Sequence, residues 1–354
     1  MKKLLLLLLV GFFSIGAFAS IHSPAEEFEK LMGIETDHWI YVKKAEDVAV
    51  LERFKNLYEK NRDLDDEQLD EFKIPNVIHF IWLGPKPFPA ESVENVRSWI
   101  AHHPDWEFKF WTDRQRLPPC AEMEVVYVQD FPFAFLQSCY ESSQNYGEKS
   151  DVLRFEILYR EGGLYVDHDA SCLKSFDRLH AVYDFYCGLE APHPPVVGLN
   201  ITVGNGVIGA RPEHPVIGKV LELIGQKWES IGHRYRGKDG FSRTQLVMQR
   251  TYIALTHALD EAVDKEGNAD IVFPAAYFFA KKGIPSLYSK HFYANAWADD
   301  GKNREFEKTT QRSLSKIKKS SGAIRWVGRG AICVNLIALI GIYFYLMRIK
   351  KKPK

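Results

Sequence analysis

Asp167 and Asp169 form a D-x-D pair at the end of the stretch SDVLRFEILYREGGLYVDHDA, residues 150–170. Two carboxylates at i and i+2 point to the same side if extension persists. With no Cys and no pair of His beside them, they make a hard oxygen site suited to Mg²⁺ or Mn²⁺ rather than zinc. Such an ion usually keeps positions open for phosphate oxygens. Asp151 and Arg154 lie three residues apart upstream and share a helix face. A cation close to a metal-binding pair suits the departure of a phosphate or diphosphate, whose growing negative charge must be met by fixed positive charge. The plain alternatives are a solvated D-x-D loop and a surface ion pair between Asp151 and Arg154.

The elements that would position these groups are legible around them. Ser150 is a candidate N-cap, Leu153, Ile157 and Leu158 recur at helical spacing, and Gly162-Gly163 supply the stop and the turn. Leu164, Tyr165 and Val166 form a short apolar run expected as a strand buried on both faces, with Asp167 where that strand emerges. Strands near 77–83, 107–111 and 125–128 alternate with helices near 92–102 and 133–138, which predicts an α/β sheet with helices outside it. Further helices are expected near 215–230 and 242–263. In such sheets sites collect at the carboxyl ends of strands, and both Asp167 and Trp82 satisfy that rule. The charged segment before Ile74 is helical in pattern, with AEDVAVLERFKNLYEKN its best helix.

Other side chains are candidates on type alone. Asn205, in a glycine-rich apolar segment, can offer its amide to a sugar hydroxyl or simply form a turn before Gly206. Trp82 at a strand end is either a stacking platform or core packing. His291 is either a ligand or a structural histidine.

The segment SDVLRFEILYREGGLYVDHD resembles the glycosyltransferases with a DXD-containing sugar-binding region. That group includes yeast α-mannosyltransferases, inositol phosphorylceramide mannosyltransferases and, more distantly, the large clostridial glucosylating toxins. IPNVIHFIWLGP (74–85) resembles the family's opening strand and NGVIGARPEHP (205–215) its downstream block. With FPAAYFFA and HFYANAW, the similarity spans roughly residues 74–300.

The resemblance implies a GT-A-like, Rossmann-like fold, a UDP- or GDP-hexose donor, a divalent metal such as Mn²⁺ or Mg²⁺, and transfer with retention. It matches Asp151 to a carboxylate that contacts ribose or donor sugar, and Arg154 to a sugar- and phosphate-contacting arginine. Asp167 and Asp169 match the DXD pair, with Asp169 the direct metal ligand. In the toxin branch the tryptophan similar to Trp82 stacks on the nucleotide base. His291 and Trp297 resemble a closing block with a metal ligand and an indole donor to phosphate, although Ala296 stands where a serine is usual. A lipid or glycan acceptor is implied, with inositol phosphorylceramide-like lipids as the specific suggestion.

The ends of the chain carry a different signal. Lys2 and Lys3 precede the run Leu4–Val10, and Ala17-Phe18-Ala19 before Ser20 is an A-x-A pattern, so residues 1–19 read as a signal peptide or an uncleaved anchor. Residues 330–347 read as one transmembrane helix, preceded by a basic segment (311–329) and followed by a basic tail (348–354). The expected organisation is a helical region over 20–73 and a catalytic domain over 74–310, held at a membrane by a single pass near the C-terminus. If the signal is used, the domain is lumenal or extracytoplasmic, in a compartment that must import nucleotide sugars.

Formal net charge is zero, with 46 acids and 46 bases. No acid lies beyond residue 310, where eleven of those bases are found, so the body is acidic and a poor nucleic-acid binder. The basic ends suit anionic lipid headgroups. Of five cysteines, Cys333 falls in the expected membrane helix. Cys120, Cys139, Cys172 and Cys187 permit two disulfides in any of three pairings, or four free thiols. Two other classes compete with a transferase. One is a catalytically silent carbohydrate-binding or scaffolding protein; the other is a haloacid-dehalogenase-type phosphatase with Asp167 as nucleophile, for which no later Lys and acidic motif are evident.

Overall fold

The computed structural model describes residues 24–64, 71–195, 198–235 and 240–294. Residues 1–19, the basic segment 311–329, the expected membrane helix 330–347, the tail and Trp297 lie outside the described residues. No helix among the described residues is long and apolar enough to cross a membrane.

Helices α1 (Pro24–Met32) and α2 (Ala45–Asn61) precede strand β1 (Val77–Ile81). Then come α3 (Val93–His102), β2 (Glu107–Thr112), β3 (Glu124–Tyr127), α4 (Gln137–Ser142), α5 (Tyr146–Glu161), β4 (Gly163–Val166) and β5 (Ala170–Cys172). The rest is α6 (Asp177–Val182), β6 (Phe185–Leu189), β7 (Val203–Ala210), α7 (Pro215–Arg234), α8 (Gly240–Val247), α9 (Ile253–Ala262), β8 (Asp270–Phe273) and β9 (Ser289–His291). Seven strands form one sheet in the order β3-β2-β1-β4-β7-β6-β8, and β5 pairs with β9 in a separate ribbon. Only β7 runs against its neighbours β4 and β6; the other pairs in the large sheet are parallel. The architecture is mixed α/β with a largely parallel sheet.

Every residue of β1, β4, β6 and β8 is buried, as expected of strands covered by helices on both faces. α2 closes one edge, where Asn61 Nδ2 donates to the Asp270 carbonyl at 2.7 Å. α3 holds the small ribbon: Trp99 Nε1 donates to Ala170 O at 2.8 Å, and the Cys172 N–H is donated to Ser98 Oγ at 2.8 Å.

Several local expectations change in the fold. Ser150 is not the cap of the motif helix. α5 starts a full turn earlier because Asn145 Oδ1 accepts the N–H groups of Gly147 and Glu148 at 2.8 and 3.0 Å. The Ser150 hydroxyl instead donates back to Tyr146 O. The helix expected near 133–138 begins only at Gln137, since the N–H groups of Ala134, Phe135 and Leu136 are donated to the buried Glu156 carboxylate at 2.6–2.8 Å. The helix expected over 242–263 is interrupted by a π-helical turn at Met248–Tyr252, a feature common at functional sites. The four cysteines of the described body are buried free thiols.

The glycine turn behaves as its sequence suggests. Gly162 and Gly163 have φ of 66° and 91°, and a Cβ on Gly163 would lie 2.7 Å from Val77 O. His79, buried in β1, clamps this turn: its Nε2 donates to Gly162 O at 2.9 Å while Nδ1 accepts from Trp111 Nε1 at 3.1 Å. Burial lowers its pKa to about 3, against a raising hydrogen bond to Gly162, so the ring is neutral.

Candidate active site

Asp167 leaves β4 with its N–H donated to Gly206 O at 2.8 Å, and the chain then turns, Ala170 N–H donating back to Asp167 O at 3.1 Å. The two carboxylates therefore converge across a turn and not by the alternation of an extended strand. His168, between them, points away: its Nδ1 lies 2.8 Å from Ser92 Oγ and its ring meets Trp82 edge-on at 4.9 Å. After the turn β5 pairs with β9, placing Ala170 opposite His291. Ligand atoms of Asp167, Asp169 and His291 then lie within 4.8 Å of one another. His291 Nε2 is 3.4 Å from Asp167 Oδ2 and 3.6 Å from Asp169 Oδ1.

Asp169 is held rigidly, its Oδ2 accepting the Ala294 N–H at 2.6 Å and its carbonyl the Phe292 N–H at 2.8 Å. Gly206 lines the hollow between the ligands, where a Cβ would come within 2.6 Å of Asp167 Oδ2 and 3.0 Å of His291 Nε2. The donor set, two carboxylates and an imidazole around a space kept open by a glycine, fits a divalent ion of the Mg²⁺ or Mn²⁺ kind. One contact would have to change for His291 to hold such an ion. Tyr293 N–H is donated to His291 Nδ1 at 3.1 Å, so the neutral ring carries its proton on Nε2, and to offer Nε2 to an ion it would have to carry that proton on Nδ1 instead.

Beneath the carboxylates lies Arg154, its side chain 6% exposed. Nη2 meets Asp151 Oδ1 at 2.6 Å, and Nη1 meets Asp167 Oδ1 at 3.4 Å and donates to the Asn205 carbonyl. Its guanidinium carbon sits 4.2 Å over the Tyr165 ring, and the Tyr165 hydroxyl donates to Asp167 Oδ1 at 2.6 Å. Burial alone would raise the pKa of Asp167, but Arg154 and then His291 outweigh it and hold the carboxyl well below the usual range. For Asp151 burial wins, pushing its pKa up against the pull of Arg154 and Thr251. Arg154, so engaged, orients carboxylates more than it stands free for a ligand. Asn205 is likewise engaged, donating Nδ2 to Asp151 Oδ1 at 3.1 Å.

Trp82 is half-buried beyond the end of β1, its indole N–H donated to Lys86 O at 2.9 Å. Its ring contacts Phe88 and His168 edge-on, so it borders the D-x-D turn through His168. Sequence reading missed two groups. Thr251, on the π-helical turn, donates to Asp151 Oδ2 at 2.5 Å, and Tyr165 is tied to both Arg154 and Asp167. Tyr165 stood inside the motif and could have been found; Thr251 has no local signal.

Residues 89–186, which include Asp151, Arg154, Asp167 and Asp169, match the family model described as glycosyltransferase sugar-binding region containing DXD motif. Over that region the chain is similar to this glycosyltransferase family. Outside the matched region lie Trp82, Asn205, Thr251 and His291.

Among curated proteins, the chain is 28% identical over 190 residues to Subversion of eukaryotic traffic protein A of Legionella pneumophila, covering 49% of this chain and 27% of that protein. It is 30% identical over 151 residues to Inositol phosphoceramide mannosyltransferase 3 of Schizosaccharomyces pombe, covering 43% of this chain and 37% of the relative. It thus spans well under half the length of either. Among solved structures, the catalytic domain of alpha-toxin from Clostridium novyi aligns with a TM-score of 0.37 at 12% identity, over 69% of this chain and 74% of that one.

Proposed function

We propose that this chain is a GT-A-like, divalent-metal-dependent hexosyltransferase that takes a UDP- or GDP-hexose and transfers the sugar, with retention, to a lipid or glycan acceptor at a membrane. The observation that carries the reading is the convergence of Asp167, Asp169 and His291 within 4.8 Å at the carboxyl end of β4, directly above the Arg154–Asp151 pair of the family region. The name of the fission-yeast relative favours an inositol phosphoceramide-like lipid as acceptor and mannose as the sugar.

Asp167, Asp169 and His291 would hold Mn²⁺ or Mg²⁺, which when bound supplies Lewis-acid neutralisation of the departing nucleoside diphosphate. Arg154 keeps Asp167 ionised so that it is ready to ligate, and steers Asp151 toward the donor. Asp151, fixed by Arg154, Thr251 and Asn205, is positioned to accept from a ribose or sugar hydroxyl. Trp82, beside the D-x-D turn, offers an indole to the nucleotide base, and Trp297 is assigned the phosphate contact of the closing block.

The full chain, incubated with a panel of UDP- and GDP-hexoses and Mn²⁺ or Mg²⁺, should hydrolyse one donor slowly in the absence of acceptor. Asp169→Asn should abolish that hydrolysis and weaken Mn²⁺ binding by at least about tenfold. No turnover and no metal-dependent donor binding by the wild type would reject the transferase in favour of a silent carbohydrate-binding protein.

A further inference from the structure

Glu190 is a carboxylate for which the metal triad has no use. It follows β6 directly and so leaves the large sheet at the same edge as Asp167, because β4 and β6 both run against the β7 between them. Its side chain is 15% exposed. Oε1 accepts the Tyr252 hydroxyl at 2.9 Å; that hydroxyl is 2.8 Å from Thr202 Oγ1, which in turn lies 2.8 Å from His193 Nε2. Tyr252 is the neighbour of Thr251, so one π-helical turn braces both Asp151 and Glu190.

The second oxygen is placed differently. Oε2 faces Lys281 Nζ at 3.6 Å, too far for a hydrogen bond. Lys281 Nζ lies 4.7 Å from the centre of the Tyr293 ring, and Tyr293 is the residue whose N–H holds His291. Lys281, His291 and Tyr293 line one open groove of about 650 Å³. Burial would raise the pKa of Glu190, but Lys281 and then His193 overcome it, so the group is ionised.

A carboxylate with one oxygen fixed and the other open accepts from hydroxyls, an adjacent ammonium donates to their oxygens, and an aromatic face covers the C–H side of a saturated ring. We propose that Glu190 and Lys281, with the Tyr293 ring, form the subsite that receives the vicinal hydroxyls of a polyol acceptor beside the Asp167–Asp169–His291 triad. The assignment to an acceptor rests on the transferase reading above. Glu190 is not itself a lining residue of the groove but adjoins it through Lys281; an anion would meet Lys282 and Lys290 there with the Glu190 charge close behind Lys281 opposing it.

The test titrates myo-inositol and methyl α-D-glucopyranoside into the full chain, with and without UDP and the diamagnetic Mg²⁺, read by saturation-transfer NMR. The wild type should bind at least one probe, and Glu190→Gln and Lys281→Met should each weaken it about tenfold, the loss expected for one hydrogen bond to a charged group. Should the Gln variant misfold, the half-exposed Lys281 carries the test. Binding of neither probe by the wild type, or unaltered binding by the folded variants, overturns the subsite. So does inorganic phosphate binding that Glu190→Gln strengthens while polyol binding stays unmoved. Donor hydrolysis and donor binding by the wild type are scored separately: hydrolysis without a polyol effect rejects the subsite alone, and polyol binding with neither hydrolysis nor metal-dependent donor binding keeps the subsite and rejects the transferase.

Discussion

The Thr251 hydroxyl donates to Asp151 Oδ2 at 2.5 Å across 100 residues of sequence. This bond opposes the burial that otherwise favours the protonated acid. Thr251→Val removes the donor, raises the Asp151 pKa further and loosens its pair with Arg154. Donor hydrolysis should fall about tenfold near neutral pH. Because a raised carboxyl pKa means the charged form is lost sooner as pH falls, the variant's rate should drop at a higher pH than the wild type's and recover in part at alkaline pH. A pH–rate profile of both proteins checks this.

Gly206 is required by space and not by backbone conformation, since its φ lies outside the left-handed region. Gly206→Ala would press a methyl group against Asp167 Oδ2 and His291 Nε2. The strand should still form, so the expected result is a thermal midpoint within a few degrees of wild type with Mn²⁺ affinity reduced at least about tenfold. Isothermal titration with Mn²⁺ beside a melting curve measures both.

His79 and His180 are neutral and buried, each with its pKa lowered to about 3 by burial. The unfolded chain binds protons at these rings near pH 6.5 while the folded one does not, so folding stability is lost as pH falls from about 6.5 toward 3. Each ring contributes a slope of about 1.4 kcal/mol per pH unit in that window. His79→Gln should flatten the acid side of a stability–pH curve by about that slope, while lowering stability at neutral pH through loss of the Gly162 and Trp111 contacts. Denaturant titrations between pH 5 and 7 decide it.

Glu156 closes the 134–136 turn with three backbone N–H groups. Glu156→Ala leaves all three donors without their carboxylate, the Leu136 N–H of them buried, and a loss of about 2 kcal/mol is expected, visible as a lower urea midpoint at unchanged m-value.

The motif region shows which inferences are local. Periodicity from Leu153 to Leu158, the double glycine and the apolar triplet before Asp167 predict a helix, a tight turn and a buried strand, and each depends on contacts only a few residues apart. The start of α5 escaped because Asn145 competes with Ser150 as a cap and caps are settled by which oxygen meets free N–H groups. The start of α4 escaped because the carboxylate that takes the 134–136 donors sits some 20 residues later. Likewise, the D-x-D residues were expected to converge through strand alternation, whereas a turn does the work, because Ala170 must leave β4 to reach the β9 ribbon.

By itself the sequence determined the chemistry on offer: two adjacent carboxylates at the exit of a buried strand, an Asp–Arg pair one helix earlier, and the family region that contains them. Side-chain type and short-range spacing suffice for that, because they set donor chemistry and local conformation. Only the tertiary structure decided the meeting of His291 with Asp167 and Asp169, the bracing of Asp151 by Thr251 and the placement of Glu190 against Lys281. Those contacts join segments about 90 to over 120 residues apart, and their geometry comes from strand order: β7 threaded between β4 and β6, and β9 paired to β5. No periodicity within either segment encodes such a meeting, since the distance between them is set by packing of the whole sheet.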